Sequence, residues 1–244
     1  MGLDSRIFGE ALMYEFDWDA ISSVLPILGK GMMLTLKLTG VAVLAGITGG
    51  VLLALLRLSA IPVLSWPVIM YINFFRSVPL VMVLLGFFLL APAWARHIFG
   101  LPDNVEMRLP LAMVGFSLFE AAYYAEIIRA GIQGIRKTQV QAAYALGLDY
   151  AQTMRWVVLP QALRNMLPVL LTQAIILFQD TSLVYVGGLL DFFGTVYTAA
   201  NNRHAYVELF IFSGLIYFLL CFAASYGVGC LQTRFVNTGN SLQQ

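Results

Sequence analysis

An all-α polytopic membrane protein with five spanning helices is the fold class this sequence predicts, on three observations. Of 244 residues, 60% are hydrophobic and 11% charged, with a mean hydropathy of +0.82, more apolar surface than a soluble chain of this length can hide in one core. Five stretches each supply the roughly 20 mainly apolar residues that cross a bilayer. A single long polar-leaning break, residues 138–160, sits deep among them. The net charge of +1, without any basic run interleaved with aromatics, excludes a nucleic-acid reading.

Residues 1–29 carry Asp4, Glu10, Glu15, Asp17 and Asp19 and show no basic start followed by an apolar core. No cleavable signal peptide is visible, and the first spanning helix must direct insertion. Ile21, Val24, Leu25 and Leu28 recur at helical spacing, which predicts either a short amphipathic helix on the membrane surface or a soluble tail. Met13 opens an alternative start, so residues 1–12 read as a dispensable extension.

The spans are predicted at 32–56, 66–90, 109–132, 157–190 and 207–231. The fourth is too long for one straight crossing, and Pro160, Pro168, Gly187 and Gly188 supply bends or breaks. An odd number of spans puts the termini on opposite sides. With the polar break in the cytoplasm, that side holds Arg57, Arg129, Arg136, Lys137, Arg155, Arg164 and Arg234, against Arg6, Lys30, Arg96, Arg108 and Arg203 outside. The excess favours this orientation, with the N-terminus outside and the C-terminus in the cytoplasm. Ala42, Gly46, Gly50 and Ala54 form a small-residue stripe on the first span, and Ala223, Ser225, Gly227 and Gly229 do so on the fifth. Each invites a closely packed helix, from this chain or another.

Within the break, Thr138 with Gln141 has the form of a capping box, predicting a helix from about residue 139 that ends at a left-handed Gly147. Asp149 with Gln152 forms a second box, opening a helix through Met154 and Trp156 that Pro160 interrupts. Ala142, Ala143 and Ala145 would let another surface approach the first of these helices closely. They suit a docking knob, or an ordinary loop helix against the bilayer.

Few residues offer chemistry. Cys221 and Cys230 are nine residues apart on one helix and face opposite ways, so they form neither a disulfide nor a metal pair. His97 and His204 stand singly in outer loops, and no metal site is expected. No glycine-rich loop ends in Gly-Lys-Ser/Thr, so ATP, if used, binds another chain. Arg76, Glu120 and Asp180 fall within spans, where an ionisable group normally faces protein, a partner charge or a water-filled cavity. They line a central cavity or form charge-paired helix contacts; Arg76, just before Val78 and Pro79, can alternatively bind a carbonyl freed by the proline or a carboxylate. Glu126 and Arg129 are spaced to pair. A cavity for an acidic substrate requires Arg76 exposed and the carboxylates occupied elsewhere.

Ala142, Ala143, Gly147, Leu159 and Pro160 fall in register with the signature of permease subunits of ATP-driven importers: Glu-Ala-Ala, three residues, Gly, nine residues, Ile, one residue, Leu-Pro. Val157 replaces the isoleucine. Gln141 replaces the glutamate, removing a possible charge contact with a partner. FFRSVPLV, FEAAYYAEIIRAGI and LFQDTSLV extend the resemblance to polar amino acid permeases of bacterial ATP-driven importers, and with MYEFDW to the permeases of glutamate/aspartate importers.

The resemblance implies a type I ABC importer permease fold, with 1–244 as one transmembrane domain in the inner membrane. Residues 1–29 would be a periplasmic or interfacial segment and 138–160 a cytoplasmic coupling segment, touching the ATPase through Gln141, Ala142, Ala143, Gly147, Leu159 and Pro160. Partners would be an ATPase dimer, a second similar permease forming a heterodimer, a periplasmic solute-binding protein and membrane lipid. No cofactor would bind this chain; ATP and Mg would sit on the ATPase. The competing reading is a secondary transporter using Glu120 and Asp180 as ion sites. An enzyme is disfavoured, since no nucleophile with a base or metal pair shares a membrane depth.

Overall fold

A computed structural model describes residues 16–240 of the chain apart from 60, 101 and 103, with side chains to residue 233. The expected 1–12 extension lies outside the described residues. Within them every regular element is helical.

Helix α1, Trp18–Ser22, starts where the Asp17 carboxylate accepts the N–H groups of Asp19 and Ala20 at 2.9 and 3.1 Å. It is helical and packed on the bundle, not a free tail. Ala20, Ile21, Val24 and Leu28 pack against Phe192, Val196, Ala200, Ala205 and Leu209, and the Asp17 N–H donates to buried Glu208 at 3.1 Å. An apolar stripe looks the same whether lipid or protein covers it, and here the cover comes from some 170 residues downstream.

Helix α2, Leu25–Leu58, begins with Pro26 in its first turn and overruns the predicted first span at both ends. The predicted second span, 66–90, is corrected to two helices, α3 at Pro62–Ser77 and α4 at Leu80–Phe99. Val78 between them is extended (φ −106°, ψ 133°), the conformation that the following Pro79 imposes on it. Helix α5, Arg108–Gln133, agrees with the predicted third span. The polar break holds α6, Lys137–Ala145, and α7, Tyr150–Thr153; one π turn, Met154–Val158, joins α7 to α8, Leu159–Asp180. A 3₁₀ segment, Thr181–Gly187, leads to α9, Phe192–Arg203, and α10, Tyr206–Asn240. Among the described residues five stretches are long and apolar enough to cross a membrane: Leu25–Leu58, Leu80–Phe99, Arg108–Gln133, Tyr150–Gly187 and Tyr206–Thr233.

Helix α5 is the buried centre, with Phe116 and Tyr124 fully enclosed. The stripe on α2 packs on it: a Cβ at Gly50 would lie 2.6 Å from the Tyr124 Cβ and 2.9 Å from the Ala125 nitrogen, and one at Gly46 2.8 Å from the Glu120 Cβ. The first small-residue stripe therefore has its neighbour in this chain. The second does not: Gly227 and Gly229 on α10 have nothing described within 4 Å. Asp191 caps α9 through the N–H groups of Phe193 and Gly194, and the Phe192 N–H donates to Thr35 on α2 at 3.0 Å, fastening α9 to the first span.

Candidate functional site

The polar break projects from the helix bundle on a short apolar footing. Ile135, Val158 and Ala162 are buried together with Ile132, Val140 and Met154 against them. Above this footing α6 turns its Ala143 inward, leaving Gln141, Ala142, Ala145 and Gly147 exposed, with Leu146 at 83% the most exposed apolar side chain at the tip.

The two helix starts differ from each other. The Thr138–Gln141 box does not form, and α6 begins at Lys137 after an extended Arg136 (ψ 128°) without a side-chain cap. Thr138 is already inside the first turn, where its hydroxyl is past the capping position. The end of α6 is as predicted: Gly147 is left-handed at φ +82°, its N–H donating to the Tyr144 carbonyl at 2.9 Å and that of Leu148 to Ala143 at 3.1 Å. The Asp149–Gln152 box also forms, with reciprocal bonds of 2.8 and 3.0 Å.

Pro160 does not interrupt the following helix, as the sequence suggested. The π turn at Met154–Val158 puts Pro160 in the first turn of α8, where a missing N–H costs least, and the Gln161 amide donates to the Val157 carbonyl at 2.8 Å. From Tyr150 onward the break is thus joined to the fourth span by continuous helix, with Leu159 and Pro160 at the junction.

The charged residues inside the bundle fall into two separate places. Glu126 on α5 gathers three arginines: Arg57 from the last turn of α2, Arg129 one turn on, whose Nε donates at 3.1 Å, and Arg76 from the end of α3 at 3.7 Å. The Glu126 side chain is 19% exposed and that of Arg76 41%, with the guanidinium also 5.7 Å from the Tyr123 ring centroid. Sequence spacing gave the Arg129 pairing and missed Arg57 and Arg76. The stripe that sets Gly46 against Glu120 and Gly50 against Tyr124 was the available signal, since the same parallel packing carried further along both helices brings Arg57 to Glu126.

Glu120, midway along α5, is fully buried and accepts both amide hydrogen bonds from Gln173 of α8, at 3.2 and 3.3 Å. Gln173 was not singled out by sequence; an amide seven residues before Asp180 on the same helix face is the signal that marks it. Asp180, at the end of α8, is half-buried and makes no hydrogen bond or ion pair among the described residues. No ion pair joins Arg76, Glu120 and Asp180 to one another; the carboxylate beside Arg76 is Glu126. Among the described residues no three His, Cys, Asp or Glu side chains cluster as a metal site would require.

The chain is similar to known proteins in sequence and fold. Residues 21–237 match the family described as binding-protein-dependent transport system inner membrane component. The glutamate/aspartate import permease protein GltK of Escherichia coli O6:H1 is 50% identical over 222 residues, covering 91% of this chain and 99% of that protein. The arginine transport system permease protein ArtQ of Bacillus subtilis is 35% identical over 207 residues, covering 84% and 90%. A solved structure described as an amino acid ABC transporter with histidines matches with a TM-score of 0.81 and 30% identity, over 91% of this chain and 100% of that one. These likenesses give no support to the ion-gradient alternative. The chain belongs to the family of binding-protein-dependent transport system inner membrane components, as a permease subunit of an amino-acid ABC importer and not itself an enzyme.

Proposed function

We propose that this permease carries glutamate and aspartate across the bacterial inner membrane, with its N-terminus periplasmic and its C-terminus cytoplasmic. Residues 1–244 act as one transmembrane domain. A second, similar permease completes the pathway as a heterodimer surrounded by lipid, an ATPase dimer holding ATP and Mg works below, and a periplasmic binding protein delivers solute above. The substrate reading rests on likeness to GltK and on one geometric observation: Arg76 is half-exposed while Glu120 is occupied by Gln173 and Glu126 by arginines. A cation with its face open beside two carboxylates already engaged suits an anionic solute, with Asp180 the one candidate carboxylate left without a hydrogen bond or ion pair among the described residues.

The coupling reading rests on the exposed tip of α6. Gln141, Ala142 and Gly147 present a small-residue knob whose open face has the shape of something inserted into a groove, Ala143 seats it on the bundle, and Leu159 with Pro160 carries its displacement into α8. ATP binding closes the ATPase dimer and draws the knobs together, opening the cavity outward to the docked binding protein; hydrolysis resets it. By linkage, docking of the binding protein favours closure of the ATPase.

The test is purification from native membranes in mild detergent, followed by an ATPase assay with binding protein. A stoichiometric ATPase and a second permease, stimulated by glutamate or aspartate, are expected. A chain that purifies alone and moves solute on an ion gradient would overturn the proposal.

A further inference from the structure

Helix α8 exposes two faces of opposite chemistry. At about 100° per residue, Gln161, Asn165, Thr172 and Gln179 fall within roughly 40° of one another, whereas Leu163 and Leu167 lie roughly 120° or more away and Leu171 about 80°. Asn165, Thr172 and Gln179 are exposed, and so are the three leucines, at 54, 37 and 37%. A third sector, carrying Ala162, Met166, Gln173 and Leu177, packs inward; Met166 touches Gly131 and Gln173 holds Glu120.

The Glu120–Gln173 contact fixes the depth of the polar face. Glu120 lies midway along the spanning helix Arg108–Gln133, so Gln173 lies near the middle of the membrane. At about 1.5 Å per residue, Thr172 is then at that level, Gln179 about 9 Å to one side and Asn165 about 12 Å to the other, all inside a hydrocarbon layer of about 30 Å. Thr172 returns one hydrogen bond to the Pro168 carbonyl at 2.9 Å, and Gln161 one to Val157. The amides of Asn165 and Gln179 make none among the described residues. Each brings two donor hydrogens and an acceptor oxygen, and lipid tails satisfy none of them. The leucine face needs no such partner.

We propose that the Gln161–Asn165–Thr172–Gln179 face of α8 is the surface this subunit presents to the hydrated path of the solute, and that Leu163 and Leu167 lie against lipid, Leu171 bordering a cavity shared with Leu220 and Ala224 of α10. The seam is uncharged, so it supplies exchangeable hydrogen bonds to a zwitterionic, acidic amino acid without holding it. That property suits a path and not a resting site. The inference rests on the permease reading and not on which amino acid is carried.

The experiment uses the complete importer in membranes, with Asn165→Cys, Thr172→Cys, Gln179→Cys and Leu163→Cys made singly. Each is exposed to a membrane-impermeant, water-soluble maleimide, and labelling is read against the unsubstituted chain, whose Cys221 and Cys230 set the baseline. A thiol reacts as its thiolate, which forms only where water reaches it, so the seam positions are expected to label about tenfold or more faster than Leu163→Cys. Saturating glutamate with binding protein should slow labelling at Thr172→Cys. Failure of that protection alone counts against the substrate, whereas labelling of the seam at the Leu163→Cys rate, in importer recovered at normal yield, overturns the path itself. Should one seam variant fail to assemble, the other two carry the same comparison.

Discussion

The α2–α5 contact and the tip of α6 use the same kind of residue in opposite surroundings. At Gly50 the space a Cβ would fill is occupied by Tyr124 and by the Ala125 backbone, while at Gly147 nothing lies within 4 Å. Small residues in the first place are explained by the neighbour they admit. In the second the left-handed backbone accounts for the glycine, at φ +82°, but not for the alanines beside it. A small-residue surface with an 83% exposed leucine at its tip is what the docking reading requires, an interface face with its cover not supplied by the described residues of this chain.

Enlarging the two glycines should break this comparison most sharply. Gly50→Leu forces α2 off α5, because the first clash is with a Cβ and a backbone nitrogen that have nowhere to move. The cost exceeds the usual ~1–3 kcal/mol of an overpacked core. Little folded subunit should survive in membranes, as read by protease resistance and yield. Gly147→Trp should insert and assemble at normal yield, yet transport should fall roughly tenfold or more, the scale of a lost coupling energy of about 1–3 kcal/mol. Gly147→Ala separates bulk from strain, since it shares the left-handed penalty without the ring. Equal loss in both variants would reduce the effect to backbone strain, and normal uptake in Gly147→Trp would remove the docking claim.

The charge clusters sharpen the same contrast between closed and open contacts. Glu126→Gln leaves Arg57 and Arg129 without their carboxylate in a largely buried place, so the yield of folded subunit should drop several-fold. Arg76→Ala should assemble nearly normally, because its 3.7 Å contact is long and its side chain 41% exposed, where ion pairs contribute little. If Arg76 meets the solute, that variant loses transport with its assembly intact. Loss of assembly instead would make Arg76 a structural member of the Glu126 cluster.

These contrasts also mark what the sequence could tell. Spans one, three, four and five were legible because apolar length is a one-dimensional property, and Gly147 and the Asp149 cap were legible because their partners lie within three or four residues. The break at Pro79 was visible as a residue but not as a division, because hydropathy runs on unbroken through Val78 and Leu80 while the backbone does not. Ile21 and Val24 revealed a face without revealing its cover. Glu126 and Gln173 escaped for the same reason: their partners sit 50 to 70 residues away, and only the α2–α5 and α5–α8 contacts bring them together. The seam on α8 was present in the sequence all along, but its depth could not be assigned until Glu120 met Gln173.

The smallest expected effect tests whether the tip is stiff. Asp149→Ala removes the carboxylate that accepts the Gln152 N–H, leaving only the reciprocal bond in which the residue-149 N–H donates to the Gln152 side chain, and should cost about 1 kcal/mol of local helix stability. The π turn at Met154–Val158 and the buried footing of Ile135, Val158 and Ala162 are untouched, so the global yield should be unchanged. What should change is the exchange of backbone amides from 149 to 153, faster by about fivefold for that energy, with a smaller fall in solute-stimulated ATPase activity. A tip that transmits displacement must be stiffer than the groove it pushes against, and a frayed α7 inserts a soft turn between the knob and α8. Faster exchange with fully retained coupling would show instead that the knob acts on the bundle through α6 and its footing alone.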